Sequence, residues 1–499
     1  MAKKLLAILL TALFCVSALL LTACNDPVGE GSADESAVSE GEDQKKGFLP
    51  EKKDWGGETV SILLTGNSTY STSAIPDEAS DEPVVNAFYK RNALIEQEFG
   101  IKLNAVIGEN YNECVNILRN DIDSGLGEIQ ASSIALTYIA PLGVDGMLYD
   151  FSEIENGYIH YNEEWWDQTA LRDLSINNRI WFLTGDAMVA DDESTWAMYF
   201  NKDIINNYRL DNPFDLVRSG DWTLDKFYEM ACSVQTMNGS KMSYDPAVGD
   251  VWGAVVQSYD FFMFMLGAEE PMIDATGDVP AFRVDEQENI STFKQIMDYM
   301  LDDQHIGVAD FNGHWSTVYA TERQIFCNGN ALFMPSAISF VSSQQLRTAE
   351  IHYGLLPMPK RNGNQDDYST SVTVYWCEVF SIPTSNIEKL DVTCYALEAM
   401  AYYGKEMVTP EYYDRTLKYK RFQDDDSTDM LDLIFRNRTY DLAGIFDFGS
   451  VDGNAQGSLY FYTSLLGLKS DDIMSRWEAV KDGFQLALED LIAVVEAKN

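Results

Sequence analysis

Asp191, Asp192 and Glu193 form a concentrated acidic group, and large aromatic residues stand beyond it at Trp196, Trp252, Tyr259, Tyr375 and Trp376. Two carboxylates facing each other across a groove suffice for glycoside hydrolysis. Carboxylates beside an aromatic plate also hold a sugar without altering it, because the C–H face stacks while acceptors take the hydroxyls. A solvated acidic turn is the third reading of the group. Trp165, Trp166, Trp181 and Trp315 likewise lie beside turns and not in helical stripes, although a large aromatic is most often core.

Other chemistries lack their residues. His160, His305, His314 and His352 are scattered with no partner at ligand spacing. The H-E-x-x-H, G-x-S-x-G, P-loop and dinucleotide-binding patterns are absent, so neither metal nor cofactor is expected. Asp and Glu number 79 against 35 Lys and Arg, a formal charge of -44 that repels phosphate backbones and anionic headgroups. Nucleic acid is therefore not an expected partner.

The elements that must position the aromatics and acids begin after an export signal. Lys3 and Lys4 precede an apolar run that ends in Leu21-Thr22-Ala23-Cys24, the form of a secretory signal with a lipoprotein cleavage box and not of a membrane span. Residues 1–23 are read as the signal, Cys24 as the lipidated N-terminus, and residues 24–54, rich in Gly, Ser, Asp and Glu, as a tether that buries too little surface to fold. Cys114, Cys232, Cys327, Cys377 and Cys394 remain, without a C-x-x-C, and are read as small buried apolar side chains.

The remaining chain is long enough for two or three domains at about 100–200 residues each. Val60 to Leu64 reads as a strand, Val84 to Phe99 as a helix stopped by Gly100, and Ile101 to Ile107 as an alternating strand. Val115, Leu118 and Ile122 mark a second helix before an apolar run at Ile134 to Leu136, so the strands should lie parallel in an α/β layer. The alternation resumes with Trp196 to Phe200 extended and Leu224 to Val234 helical behind a Thr223 cap. Ile473, Trp477, Val480, Phe484, Leu488, Leu491 and Val495 define a long closing helix, core or a brace between domains. Asp424 to Asp426 is read as a solvated loop.

An ordered series of segments resembles the extracellular solute-binding proteins of ABC importers, the carbohydrate group typified by maltose-binding protein. The segments are Asn178–Thr184, Ala197–Ile204 (AMYFNKDI), Asp221–Phe227 (DWTLDKF), Phe326–Phe333 (FCNGNALF), Tyr353–Lys360 (YGLLPMPK) and Val379–Ser385, followed by a helix from Ile387 to Tyr403. The resemblance implies a periplasmic-binding-protein-like α/β fold, in which two lobes are joined by hinge strands near Ala190–Trp196 and Thr373–Cys377 and solute lies between them. The lobes would be residues 55–192 with 378–404, and 193–377 with 405–499.

The resemblance places Asp191, Asp192, Glu193, Trp196, Trp252 and Gln257 near the lobe interface, with Tyr259, Asp260, Phe340, Tyr375 and Trp376. Ser371, Val372 and Thr373 replace the family's glycine pair, its tryptophan position falls near Ser339 and Phe340, and Thr236–Lys241 lacks the acids of a calcium loop, so no metal is expected there. The implied activity is capture of a small solute, a sugar, for ABC permease subunits by a lipid-anchored monomer on the extracytoplasmic face. A lipid-tethered glycoside hydrolase or lyase, or a sensor without a permease, are the alternatives. Intact-mass measurement of membrane-extracted protein is expected to give a chain starting at Cys24 with diacylglycerol on its sulfur; a mature start elsewhere refutes that reading.

Overall fold

A computed structural model describes residues 47–48, 50–66, 74–277, 279–310, 318–421, 424–449 and 457–497. The expected signal, Cys24, most of the tether, His314 and Trp315 lie outside the described residues. The longer strands are β1 (Glu58–Thr65), β2 (Ile101–Gly108), β3 (Ala131–Ala135), β4 (Trp196–Asn201), β5 (Trp252–Val256), β6 (Ile306–Val308), β7 (Ala331–Ala337), β8 (Tyr353–Leu356) and β9 (Glu378–Ser381).

They form two sheets. The first has the order β9-β3-β1-β2, parallel across β1 with its two neighbours and antiparallel between β9 and β3, where Val379 faces Ile134. Helix α1 (Pro83–Phe99) is the first crossover, with proline at its first position, the Glu82 side chain accepting from the Val85 amide, and Gly100 at φ 61° ending it. Helix α2 (Tyr111–Ser124) is the second, capped by Asn110 and stopped by Gly125 at φ 64°. Every residue of β3 is buried, as a strand covered on both faces requires. The second sheet runs β8-β4-β7-β5-β6, with β5 parallel to both β7 and β6 and with antiparallel pairs at β4.

Differences from the sequence reading are local. The run at 134–136 is strand only to Ala135, since Leu136 starts helix α3 (Leu136–Val144). Thr223 does cap its helix, accepting from the Lys226 amide, but that helix, α4 (Leu224–Cys232), stops two residues earlier than the apolar spacing suggests. The helix after β9 is α5 (Leu390–Met407), starting late because Ile387 projects into solvent at 75% exposure. Asp424 to Asp426 is not a solvated loop: Asp424 caps a helix at Asp425–Arg436, and Asp424 and Asp426 pair with Lys202 and Arg218. The five cysteines among the described residues are free, with Cys114, Cys377 and Cys394 buried.

Chain segments that pass from one sheet to the other run side by side. The short helix Ala190–Ser194 leads into β4, while residues 372–377 return to β9. Thr195 bridges Val372, and the Thr373 amide donates to the Ser194 carbonyl at 2.8 Å. Another passage leaves α5, where a Cβ on Gly404 would sit 1.8 Å from the Asp186 carbonyl oxygen. The closing helix, α6 (Ile473–Glu496), buries Trp477 and Phe484 against Phe282 on the second sheet's side, while the Val495 carbonyl near its other end accepts from Arg179 Nε at 2.9 Å. Residues around Arg179 belong with the first sheet, since Leu183 bridges Phe380 of β9.

Arg438 ties these passages together. Its guanidinium pairs with Asp192 at 3.0 Å and with Asp191 and Asp167 at 3.3 Å each, and its backbone pairs with Thr370 beside the returning segment. Asp191 is 3% exposed, so the acidic group is not the solvated turn that the sequence allowed. The three carboxylates respond differently: at Asp167 burial is outweighed by Arg438 and by hydrogen bonds, which hold it below the ordinary range, whereas burial pushes Asp191 up to about 7 and Asp192 up to about 6 against the pull of Arg438. Burial raises Asp186 similarly, to about 7.

Asp186, Asp191 and Asp192 bind protons more tightly folded than unfolded, so stability is expected to rise as pH falls from 8 towards 5. Arg438→Met, which strands the carboxylates, should cost about 3–5 kcal/mol at pH 8 and distinctly less at pH 5 by denaturant titration. A variant equal to the parent at pH 8 would remove Arg438 from this role.

Candidate functional site

The parallel strands of both sheets end towards the same set of side chains, the end at which α/β sheets hold ligands. In the second sheet, β5 runs out into Gln257, Ser258, Tyr259 and Asp260, and β6 into Asp310. In the first, β2 leads to Tyr111 and β3 to Tyr138. The returning passage between the sheets supplies Tyr375 and Trp376, anchored where the Leu136 amide donates to the Cys377 carbonyl at 3.0 Å.

Asp260 fixes the first aromatic plane. Fully buried at the start of helix Asp260–Gly267, it accepts from Trp196 Nε1 and from the Gln257 amide, both at 2.8 Å. The held indole lies edge-on to Tyr259, with centroids 5.7 Å apart and planes at 83°, and 6.5 Å from Trp376. Trp376 in turn is 5.4 Å from Tyr319, and Tyr259 is 5.6 Å from Tyr375, whose hydroxyl donates to that of Tyr460 at 2.7 Å. Tyr259, Tyr319, Tyr375, Trp376 and Tyr460 are each only partly buried. Tyr111 and Tyr138 stack on the first-sheet side, with centroids 5.0 Å apart.

Carboxylates surround these rings. Tyr111 donates to Glu378 Oε1 at 2.9 Å, and partly buried Glu193 lies close enough to Glu378 for each to disfavour the other's charge. Glu322 is fully buried, yet among the described residues neither of its oxygens has a hydrogen-bond partner, and Gln257 Nε2 is likewise unmet. Burial raises Asp260, Glu322 and Glu193 well above the ordinary carboxylate range, with neighbouring acids adding to it. Unmet acceptors next to partly exposed rings are what a ligand with hydroxyl donors and apolar faces satisfies.

Of the residues expected from sequence, Trp196, Gln257, Tyr259, Asp260, Tyr375 and Trp376 come together here, with Glu193 nearby. Asp191 and Asp192 are held by Arg438. Trp252 is 2% exposed, donates to the Ser243 carbonyl at 3.1 Å and lies over Gly307; Phe340 is 1% exposed and packs edge-on against Tyr199. Both are core. Sequence reasoning missed Tyr319 and Glu322, although an acid at 322, spaced three and four residues from Tyr319 and Phe326 on one helix, was a readable signal. It also missed Tyr111, Tyr138, Glu378 and Tyr460, which carry no local sign.

The described histidines are not partnerless: His160 pairs with Glu398, His352 with Asp203 and His305 with Asp302. Cavities of about 430 Å³ beside Glu270, Arg283 and Arg361, and of about 460 Å³ beside Lys90, Glu406 and Arg415, are lined by charged groups without aromatic plates.

No protein-family model matches the chain, and no curated protein matches it in sequence. Solved structures do match. A sugar transporter from Rhizobium etli in an open conformation aligns with a TM-score of 0.57 at 15% identity, over 87% of this chain and 99% of its own. The GacH receptor of Streptomyces glaucescens, solved unliganded and with acarbose, aligns at 0.55 and 12% identity over 86% and 99%. UgpB from Mycobacterium tuberculosis, in complex with glycerophosphocholine, aligns at 0.55 and 14% identity over 88% and 100%. The fold that the sequence segments implied is therefore the fold this chain adopts: the two-sheet α/β architecture of these solved structures.

Proposed function

We propose that the protein is the extracytoplasmic receptor of an ABC importer and captures a neutral, hydroxyl-rich solute, an oligosaccharide, between its two sheets. The observation that carries this reading is the group around Trp376: partly exposed rings on the inter-sheet passage, flanked by buried Glu322, whose two oxygens have no partner among the described residues. Stacking supplies apolar contact, and Glu322 and Glu193 take ligand hydroxyls, while Asp260 holds the Trp196 ring in place. That two of the similar structures are a sugar transporter and a receptor solved with acarbose supports the ligand class. A glycerophosphocholine complex on the same fold means that the side chains, not the fold, must set the choice.

Capture works through differential stability. Ligand contacts made from both sheets at once favour the closed arrangement, and the population shifts by that difference in affinity. The solute leaves unchanged, so the reading excludes hydrolysis as the task of the acids. The proposed lobes are residues 55–192 with 378–404, and 193–377 with 405–499, moving about the passages at 190–196 and 373–377. The lipid on Cys24 would hold a monomer at the outer face of the membrane beside its permease. Among the described residues no helix is long and apolar enough to cross a membrane.

Calorimetric titration with an oligosaccharide panel should find a ligand near micromolar affinity, about 8 kcal/mol, that is recovered intact after incubation. Trp376→Ala should weaken it by about 2 kcal/mol, roughly thirty-fold; unchanged affinity would remove the central plate, and cleaved product would make the protein an enzyme.

A further inference from the structure

Cys232, Asp302 and His305 meet at the opposite end of the second sheet from the aromatic group. Cys232 is the last residue of α4, and Asp302 and His305 lie in the turn between helix Gln287–Met300 and β6. His305 immediately precedes β6, whereas Asp310 lies beyond its other end. One donor atom from each of the three residues lies within 4.8 Å of the other two, and all three side chains are partly buried.

Their surroundings fix them. His305 Nδ1 is 2.7 Å from Asp302 Oδ2, the Ala254 amide donates to the His305 carbonyl at 3.1 Å, and the Gln304 amide donates to Asp302 Oδ1 at 3.2 Å. The Tyr228 hydroxyl donates to Asp302 Oδ2 at 2.7 Å, and its ring stacks flat on Tyr299 at 4.0 Å and 7°. A hydroxyl that orients a carboxylate, itself locked by stacking, is the kind of outer contact that presets a metal ligand.

We propose that Cys232, Asp302 and His305 bind a divalent transition-metal ion of the zinc type. Thiolate, imidazole and carboxylate are the ligand set of zinc, and a site with one oxygen donor does not suit magnesium or calcium. Around a tetrahedral ion with bonds near 2.0–2.3 Å, donors stand roughly 3.4 Å apart. All three donors already lie within 4.8 Å of one another: the wider pairs need to close by little more than an ångström, and the His305–Asp302 pair, now at 2.7 Å, opens towards about 3.4 Å as the ion replaces the proton they share. Binding requires that the thiol proton leave to solvent and that imidazole be neutral. Water fills the fourth position. The ion would join the end of α4 to the turn before β6, away from the aromatic group, so it stabilises the second half without touching the solute.

The test uses the full chain, stripped of metal by a chelator and titrated with cobalt(II) and then zinc(II). Cobalt should bind in one equivalent with a thiolate-to-metal charge-transfer band and tetrahedral visible bands, both lost when zinc displaces it, and zinc should raise the unfolding midpoint by several degrees. Cys232→Ser should abolish the charge-transfer band, and His305→Ala should weaken cobalt binding at least about ten-fold; both variants should keep the parent's chelator-treated unfolding midpoint, which separates ligand loss from misfolding. Absence of the band in the parent, or its persistence in Cys232→Ser, overturns the proposal.

Discussion

The arrangement of this protein depends on one buried cation. Arg438 stands among Asp167, Asp191 and Asp192, which come from the first-sheet side and from the outgoing passage, while its own backbone joins the returning one. A guanidinium presents donors in a fixed planar fork, so it sets directions as well as neutralising charge. Three carboxylates share it, so the passages gain a common reference point that no apolar contact would define so sharply. Tyr440, two residues on, adds its hydroxyl to Asp167 at 2.8 Å and its amide to Asp173 at 3.0 Å.

From that reference point the aromatic group follows. Residues 372–377 leave the Arg438 neighbourhood in one direction only, which puts Tyr375 and Trp376 against Trp196 and Tyr259. The indole of Trp196 is not free to turn, because Asp260 holds its nitrogen, and Asp260 is itself seated on the Gln257 amide. Rings held in this way lose little entropy when a ligand arrives, which is how rigid anchors contribute to affinity.

How much of this was legible in the sequence differs by scale. The strand and helix order was readable because apolar spacing switches between periods of two and 3.6 and because Gly100, Gly125 and Thr223 mark ends with local chemistry. Boundaries failed where tertiary contact decides them, as at Leu136, where β3 gives way directly to a helix. Aromatic position was only half readable: Trp196 and Trp252 both open strands, but one meets Asp260 and the other closes over Gly307. Nothing near Asp191 announces that its partner is Arg438, nor does Cys232 announce Asp302 and His305, since such pairings exist only through long-range topology.

The last helix has a mechanical consequence. At 24 residues it is about 36 Å long, with aromatic side chains gripped by one half and its final turn hydrogen-bonded through Val495 to Arg179 of the other. A rod of constant length fastened at both ends fixes the spacing of the two regions it joins, so they cannot part without breaking the Arg179 hydrogen bond or pulling Trp477 and Phe484 off Phe282.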